Sequence, residues 1–292
     1  MRDPEPENAR MRPAPLTTPE AVYFPACVQT MFGPALDSSS GVQYSFEQLC
    51  ERAGISLLVP PKIDTLCCGT PWSSKGMAAG LATIGRKTLT ALRTATRDGE
   101  LPVICDASSC TEGLRHIIES DTSDKPLTVI DAVEFAAARI LPHLPEYQKM
   151  ESLALHPTCS STRMGINSAL ENLATGVAER VEIPENWGCC AFAGDRGMLH
   201  PELTESATQA QAADVVAMGA TAHASCNRTC ELGMTRATGK PYRHVLELLE
   251  EVTRPSRHVD RTAERSGDGC ALPQKQGGRS RGQRIARAMH RG

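Results

Sequence analysis

Short apolar runs alternate along the chain with longer stretches of helical periodicity. Ala21-Val22-Tyr23-Phe24 runs into Pro25-Ala26-Cys27, residues 55–59 are closed by Pro60-Pro61, and Leu101-Pro102-Val103-Ile104 leads into Cys105-Asp106. Each reads as a short strand ended by turn chemistry. Between them, residues 82–96 place Ile84, Leu89, Leu92 and Ala95 where they can share a helical face, and 204–218 and 242–252 carry the same period. Strands alternating with helices predict an α/β fold with largely parallel sheets.

The pattern occurs twice. Tyr23-Phe24-Pro25-Ala26-Cys27 has its counterpart in Leu155-His156-Pro157-Thr158-Cys159. Leu66-Cys67-Cys68-Gly69 followed by Gly76-Met77 matches Gly188-Cys189-Cys190-Ala191 followed by Gly197-Met198, and Cys110-Thr111-Glu112-Gly113-Leu114 matches Cys230-Glu231-Leu232-Gly233-Met234. In the first set 39 residues separate Cys27 from Cys67 and 41 separate Cys68 from Cys110; in the second the intervals are 29 and 39. Self-similarity in fixed order indicates a duplication. Two cysteine-rich units are therefore expected, 21–150 and 151–253, between a proline-rich linker (1–20) and a tail (254–292).

Composition changes this picture in two places. The net charge of −3 over 292 residues hides an asymmetry: the tail has ten Lys/Arg against three Asp/Glu, leaving 21 basic and 31 acidic residues before it. The Gly-, Ser- and Gln-rich tail is expected to be disordered, and no nucleic-acid partner is expected. No apolar run is long enough for a membrane-spanning helix, and Met1-Arg2-Asp3-Pro4-Glu5-Pro6 opens without the apolar core of a secretory leader. The expected location is cytoplasmic, at most peripheral to the inner face of a membrane. Twelve cysteines there point to metal ligation or redox chemistry before disulfides.

If each repeated cysteine follows a strand of a parallel sheet, all emerge at its carboxyl edge, where α/β folds place their ligands. Converging thiolates repel one another unless a cation sits among them, and a soft metal or iron–sulfur cluster supplies it. Zinc in tetrahedral sites, dithiol redox chemistry without metal and purely structural thiols are the alternatives. Cysteine doublets suit a multi-iron cluster better than spaced zinc knuckles.

These residues resemble the cysteine-rich CCG domain pair of heterodisulfide reductases and of the glycolate oxidase iron–sulfur subunits. Residues 21–253 are still more similar to the C-terminal region of flavin-linked, iron–sulfur D-lactate dehydrogenases. The resemblance rests on Leu66-Cys67-Cys68-Gly69-Thr70-Pro71-Trp72, Asp106-Ala107-Ser108-Ser109-Cys110-Thr111, His156-Pro157-Thr158-Cys159-Ser160, Gly188-Cys189-Cys190-Ala191-Phe192 and Ser225-Cys226-Asn227-Arg228-Thr229-Cys230. It implies [4Fe–4S] ligation, by Cys159, Cys189, Cys190, Cys226 and Cys230 in the second unit and by Cys27, Cys67, Cys68 and Cys110 in the first. It also implies electron transfer from FAD, in a partner subunit or missing domain, towards a membrane quinone or cytochrome. Asp106 stands where the second unit has Cys226, so a carboxylate ligand is expected there. The chain has neither a dinucleotide-binding glycine motif nor a ferredoxin cysteine run, and on this reading it is part of an oxidoreductase that does not turn over alone.

The i, i+4 spacing of Cys226 and Cys230 is expected to place both sulfurs on one helical face. His156 and His223 are expected to be structural, with metal ligation or proton relay as the alternative. Asp195-Arg196 reads as a local ion pair or an anion site. Trp72 and Trp187 flank the doublets and either pack or shield a centre from water. Cys50, Cys105 and Cys270 fall outside the repeated frame and outside the expected site.

Overall fold

The computed structural model describes residues 18–255 apart from 36, 37 and 39; the expectations for residues 1–17 and for the tail from 256 lie outside the described residues. The first half runs β1 (Ala21–Phe24), α1 (Cys27–Phe32), α2 (Gly41–Arg52), β2 (Leu57–Leu58), α3 (Thr70–Ser74), α4 (Ala78–Ala95), β3 (Val103–Cys105), α5 (Ser108–Glu119), β4 (Val129–Asp131) and α6 (Ala132–Phe135). The second runs β5 (Met150–Leu155), α7 (Cys159–Met164), α8 (Asn167–Val177), β6 (Ala178–Glu182), α9 (Arg196–Leu199), α10 (Pro201–Met218), β7 (Ala222–Ser225), α11 (Arg228–Thr238), β8 (Arg243–His244) and α12 (Val245–Val252).

Each half forms a four-stranded, all-parallel sheet, in the orders β2-β1-β3-β4 and β6-β5-β7-β8. The duplication therefore holds at the level of topology as well as motif. Register follows it too: Cys105 pairs with Asp131, and Ser225 with His244.

Alternation along the strands divides the core. Tyr23, Ile104, Leu153 and Leu155 face a shared layer, packed with Phe46 and Leu49 of α2, Phe135 of α6, Leu170 and Leu173 of α8, and Leu246 and Leu249 of α12. Their strand neighbours point the other way, Val22, Phe24 and Val103 towards the first half's outer core and Ala154 towards the second's. That is the period-2 consequence of strand geometry with both sheet faces covered. Helices of both halves share the central layer, since α12 packs on α2 as well as α8.

The expected elements shift at their ends for identifiable reasons. The strand expected over 55–59 shortens to Leu57–Leu58 before Pro60-Pro61, which cannot donate to a ladder. The helix expected from 242 starts at Val245, because His244 caps it: Nδ1 accepts from the Leu246 amide at 3.2 Å while Glu247 reaches back to the His244 amide. No helix among the described residues is long and apolar enough to cross a membrane.

Candidate metal centre

The parallel strands deliver the chemistry to one edge. β1 ends three residues before Cys27, and β5 ends at Leu155, followed by His156 and then Cys159 at the start of α7. β3 and β7 lead into α5 and α11, whose first turns carry Cys110 and Cys230. Their amides bond back to equivalent residues, Cys110 to the Ala107 carbonyl and Cys230 to that of Asn227. A helix N-terminus favours negative charge, which suits thiolate. The doublets enter on the loops at 66–69 and 188–194.

In the second half these sulfurs meet. Cys159 Sγ donates to Cys189 Sγ at 3.0 Å, and Cys189 and Cys230 are the neighbours that push the Cys190 thiol up. Donor atoms of His156, Cys190 and Cys230 all lie within 4.8 Å of one another. All three residues are buried, Cys159 is half-buried and Cys189 is exposed, so the set runs from interior to surface. Two non-glycine residues in the doublet loop take left-handed backbone, Ala191 at φ 53° and Ala193 at φ 46°. Such conformations cost about 1–3 kcal/mol each and cluster at functional sites. Here the turn at Ala191 aims its amide at Cys189 Sγ, 3.4 Å away. Trp187 anchors the loop by donating from Nε1 to the Pro157 carbonyl at 2.8 Å, which gives the indole a positioning role.

Charge is unevenly distributed over the sulfurs. The hydrogen bond from Cys190, with help from His156, holds Cys230 down at about 6. Cys189 is lowered by its bonds to Cys159 and Cys190, whose own thiols are pushed up in return. Without a cation, only part of the set ionises. The residues pass a test of fit for a soft metal or iron–sulfur group: four thiols and an imidazole form the donor set, and His156 Nδ1 is buried with no hydrogen-bond partner. His156, expected to be structural with ligation as the alternative, stands among these donors; its signal in the sequence was its place at a strand end, three residues before Cys159.

Cys226 lies apart from this group. It precedes α11, with extended Asn227 (φ −159°) between, so Cys226 and Cys230 do not share a helical face. Its thiol sits in the shared core, 3.7 Å from Thr158 Oγ1, and burial pushes it up to about 12.

The first half arranges its thiols differently. Cys67 and Cys110 are the neighbours that act on the Cys68 thiol, and Cys105 and Cys68 those that push the Cys110 thiol up. Cys68, Cys105 and Cys110 are buried and Cys67 is half-buried. Cys27, at the start of α1, is half-buried. Cys105, expected outside the site, thus belongs to this chain of thiols. Alternation does send Cys105 and Asp106 opposite ways, but Cys105 takes the thiol side. Asp106 turns inward: Tyr23 Oη donates to Oδ2 at 2.6 Å and the Ala26 amide to Oδ1 at 2.7 Å. Among the described residues, His156, Cys190 and Cys230 form the one group that brings three such donors within 4.8 Å.

The halves touch around these edges. α5 packs on α7 and α1 on α11, so each cysteine helix of one half meets one of the other. Arg163 forms a bidentate pair with Glu112, both bonds 2.6 Å. Asp195 pairs with Lys75 at 2.9 Å, joining the segments just beyond the two doublet loops, where Asp195-Arg196 was expected to be a local ion pair or an anion site. That pair is exposed, and exposed pairs contribute little. Trp72 is partly exposed and lies over Gly80 of α4. His223 is buried against the Tyr242 ring at 5.3 Å, with Nε2 unpartnered.

No curated protein matches the chain. The family model for the CCG cysteine-rich domain matches it in two segments, residues 21–115 and 153–235, which together span more than half of the sequence and hold one doublet each. On that match, and with two equivalent parallel sheets each carrying a thiol set at its carboxyl edge, the chain belongs to the CCG cysteine-rich domain family.

Proposed function

We propose that the chain is an iron–sulfur electron-transfer module of a D-lactate or glycolate dehydrogenase-type system, taking electrons from a flavin-containing subunit or domain and passing them towards a quinone or cytochrome. The observation that carries this reading is the convergence of Cys159, Cys189, Cys190, Cys230 and His156 at one strand edge, graded from buried to exposed. A [4Fe–4S] cluster held there would supply one-electron chemistry. The chain's own residues do the rest. Trp187 and the left-handed turn at Ala191 fix the doublet, burial of Cys190 and Cys230 excludes water, and exposed Cys189 marks the side a partner can approach. Cys226 remains in the proposed set as a ligand requiring movement from its Thr158 contact. In the first half Cys27, Cys67, Cys68 and Cys110, joined by Cys105, form a second candidate site, with Asp106 committed elsewhere.

Anaerobic purification with iron, acid-labile sulfide and zinc assays tests the reading. Iron and sulfide near stoichiometry with a redox-active spectrum are expected, and Cys190→Ser is expected to abolish the second half's signal. Zinc without iron overturns the reading, and an unchanged spectrum in Cys190→Ser overturns the ligand assignment. A disulfide reductase-like activity is the second reading, favoured by the 3.0 Å Cys159–Cys189 contact at the surface; thiolate attack on a small disulfide substrate would distinguish it.

A further inference from the structure

A continuous line of polar contacts joins the two thiol sets. Cys68 Sγ lies 3.4 Å from Thr70 Oγ1, and Thr70 Oγ1 donates to the Ser109 carbonyl at 3.0 Å. Ser109 Oγ then crosses between the halves to donate to Asn227 Oδ1 at 3.1 Å. Asn227 Nδ2 donates to Thr229 Oγ1 at 3.1 Å and to Cys230 Sγ at 3.9 Å. The partners fix the carboxamide's orientation, because a thiolate takes the amide's donor end and the Ser109 hydroxyl donates to its oxygen. Asn227 is buried, so these bonds act in a medium of low dielectric, where hydrogen-bond chains reinforce one another.

The line is not a by-product of the duplication. Ala107 holds the equivalent place before Cys110, preceding α5 as Asn227 precedes α11, and it has no side chain to reach across. The crossing runs one way, from the first half's α5 to the sulfur of the second half's α11. Nearby, the Ser108 amide donates to the Cys226 carbonyl at 3.4 Å and Ser108 Oγ lies 2.9 Å from Thr158 Oγ1, so backbone and hydroxyl contacts hold the two helix starts together around the crossing.

We propose that Asn227 is a positioning residue for Cys230, oriented across the junction by Ser109 of the other half. It rests on the reading of the second set as a metal centre. Asn227 ligates nothing itself; it fixes a ligating sulfur and donates to its developing charge. Partners of this kind change metal affinity by about 10–100-fold when removed.

The test uses Co²⁺ on the full chain, reduced and stripped of metal, with thiolate-to-cobalt absorption as the readout and Cys190→Ser as the control for the site. Asn227→Leu is expected to weaken Co²⁺ binding about tenfold. Ser109→Ala is expected to weaken it about threefold, although Ser109 touches no second-half sulfur, and to cost nothing further in the Asn227→Leu background. Asn227→Gln, which keeps both ends of the carboxamide, restores part of the loss. A purely structural role predicts additive costs that follow the variants' urea stabilities. Additive costs, or affinities within twofold of the parent chain in both single variants, overturn the proposal. In the iron-loaded chain, Asn227→Leu is expected to shift the reduction equilibrium about tenfold towards the oxidised form, 59 mV for one electron. Absence of iron in the parent chain would defeat the electron-transfer reading, and the Co²⁺ cycle would still decide the role of Asn227.

Discussion

Asp106→Ala separates a ligand from a structural pin. The carboxylate is buried at the junction of β3 and α5, and it accepts from Tyr23 Oη at 2.6 Å and from the Ala26 amide at 2.7 Å, while its own carbonyl takes Gln29 Nε2 at 3.1 Å. Burial, reinforced by Asp106, pushes the Tyr23 phenol well above its ordinary value, so it stays neutral and donates. Removing the carboxylate strands two buried donors, each at about 1–3 kcal/mol. The expected loss for Asp106→Ala is therefore about 4 kcal/mol, a large part of the ~5–15 kcal/mol that holds a typical domain together. Asp106→Asn keeps an acceptor for the Ala26 amide and leaves Tyr23 Oη free to turn, so about 1–2 kcal/mol is expected. Urea unfolding of the metal-free, reduced chain measures both variants, with metal content read in parallel. Were Asp106 a first-half ligand, Asp106→Asn would lose metal at unchanged stability. An Asp106→Ala chain that unfolds within about 0.5 kcal/mol of the parent, or no difference between the Ala and Asn variants, refutes the reasoning.

Two further outcomes follow from single positions. Asp131 caps α6 by accepting from the Val133 amide at 2.9 Å and takes the Thr111 hydroxyl at 2.6 Å, yet burial outweighs both and pushes its carboxyl up to about 7. A raised folded value contributes stability that is whole below the ordinary carboxylate range and lost as pH rises through about 7; the urea midpoint should fall over that window, and Asp131→Asn, itself a good cap, should flatten the fall. An added Cβ at Gly113 would meet the Cys68 carbonyl oxygen at 2.7 Å and Thr70 Oγ1 at 2.3 Å, whereas at the equivalent Gly233 it meets Cys190 Cβ and Phe192 at 3.4 Å. Gly113→Ala should cost about 1–3 kcal/mol or more and raise the alkylation rate of Cys67 and Cys68, while Gly233→Ala stays near the parent chain in both respects.

What could be read from the sequence was what repeats or alternates. Pro-x-Cys and Cys-Cys recur in fixed order, and they do mark equivalent turns at equivalent strand ends. The apolar run at 21–24 does form a strand, with Tyr23 on one face and Val22 and Phe24 on the other. What escaped depends on contacts between distant segments. His156 looks like any strand-end histidine until the 190 loop and the first turn of α11 close on it. Cys105 and Asp106 were separable by face, but which face held the thiols depended on Tyr23 and Ala26, some 80 residues away, taking the carboxylate. The Lys75–Asp195 pair spans 120 residues and has no local signature.

Three equivalent positions at which the halves differ act in one direction. Where the second half has Cys226, Thr158 and Asn227, the first has Asp106, Ala26 and Ala107. The first trio closes its own half: the carboxylate binds Tyr23 and the Ala26 amide, and α5 and α1 are tied around a thiol chain whose Cys68, Cys105 and Cys110 are buried. The second trio faces across the junction, Thr158 to Ser108 and Asn227 to Ser109, leaving Cys159 half-buried and Cys189 exposed on the outer side. A duplicated frame thus yields two sets with buried sulfurs at their base, each rising to half-buried ones, Cys27 and Cys67 in the first and Cys159 in the second, and in the second on to exposed Cys189. Among the described residues Cys189 is the one exposed cysteine, so a thiol reagent from solvent meets the second set there. The crossing from Ser109 to Asn227 ends directly on Cys230, a buried sulfur of the second set, so the contacts between the halves bear on the second set's interior rather than on its exposed rim.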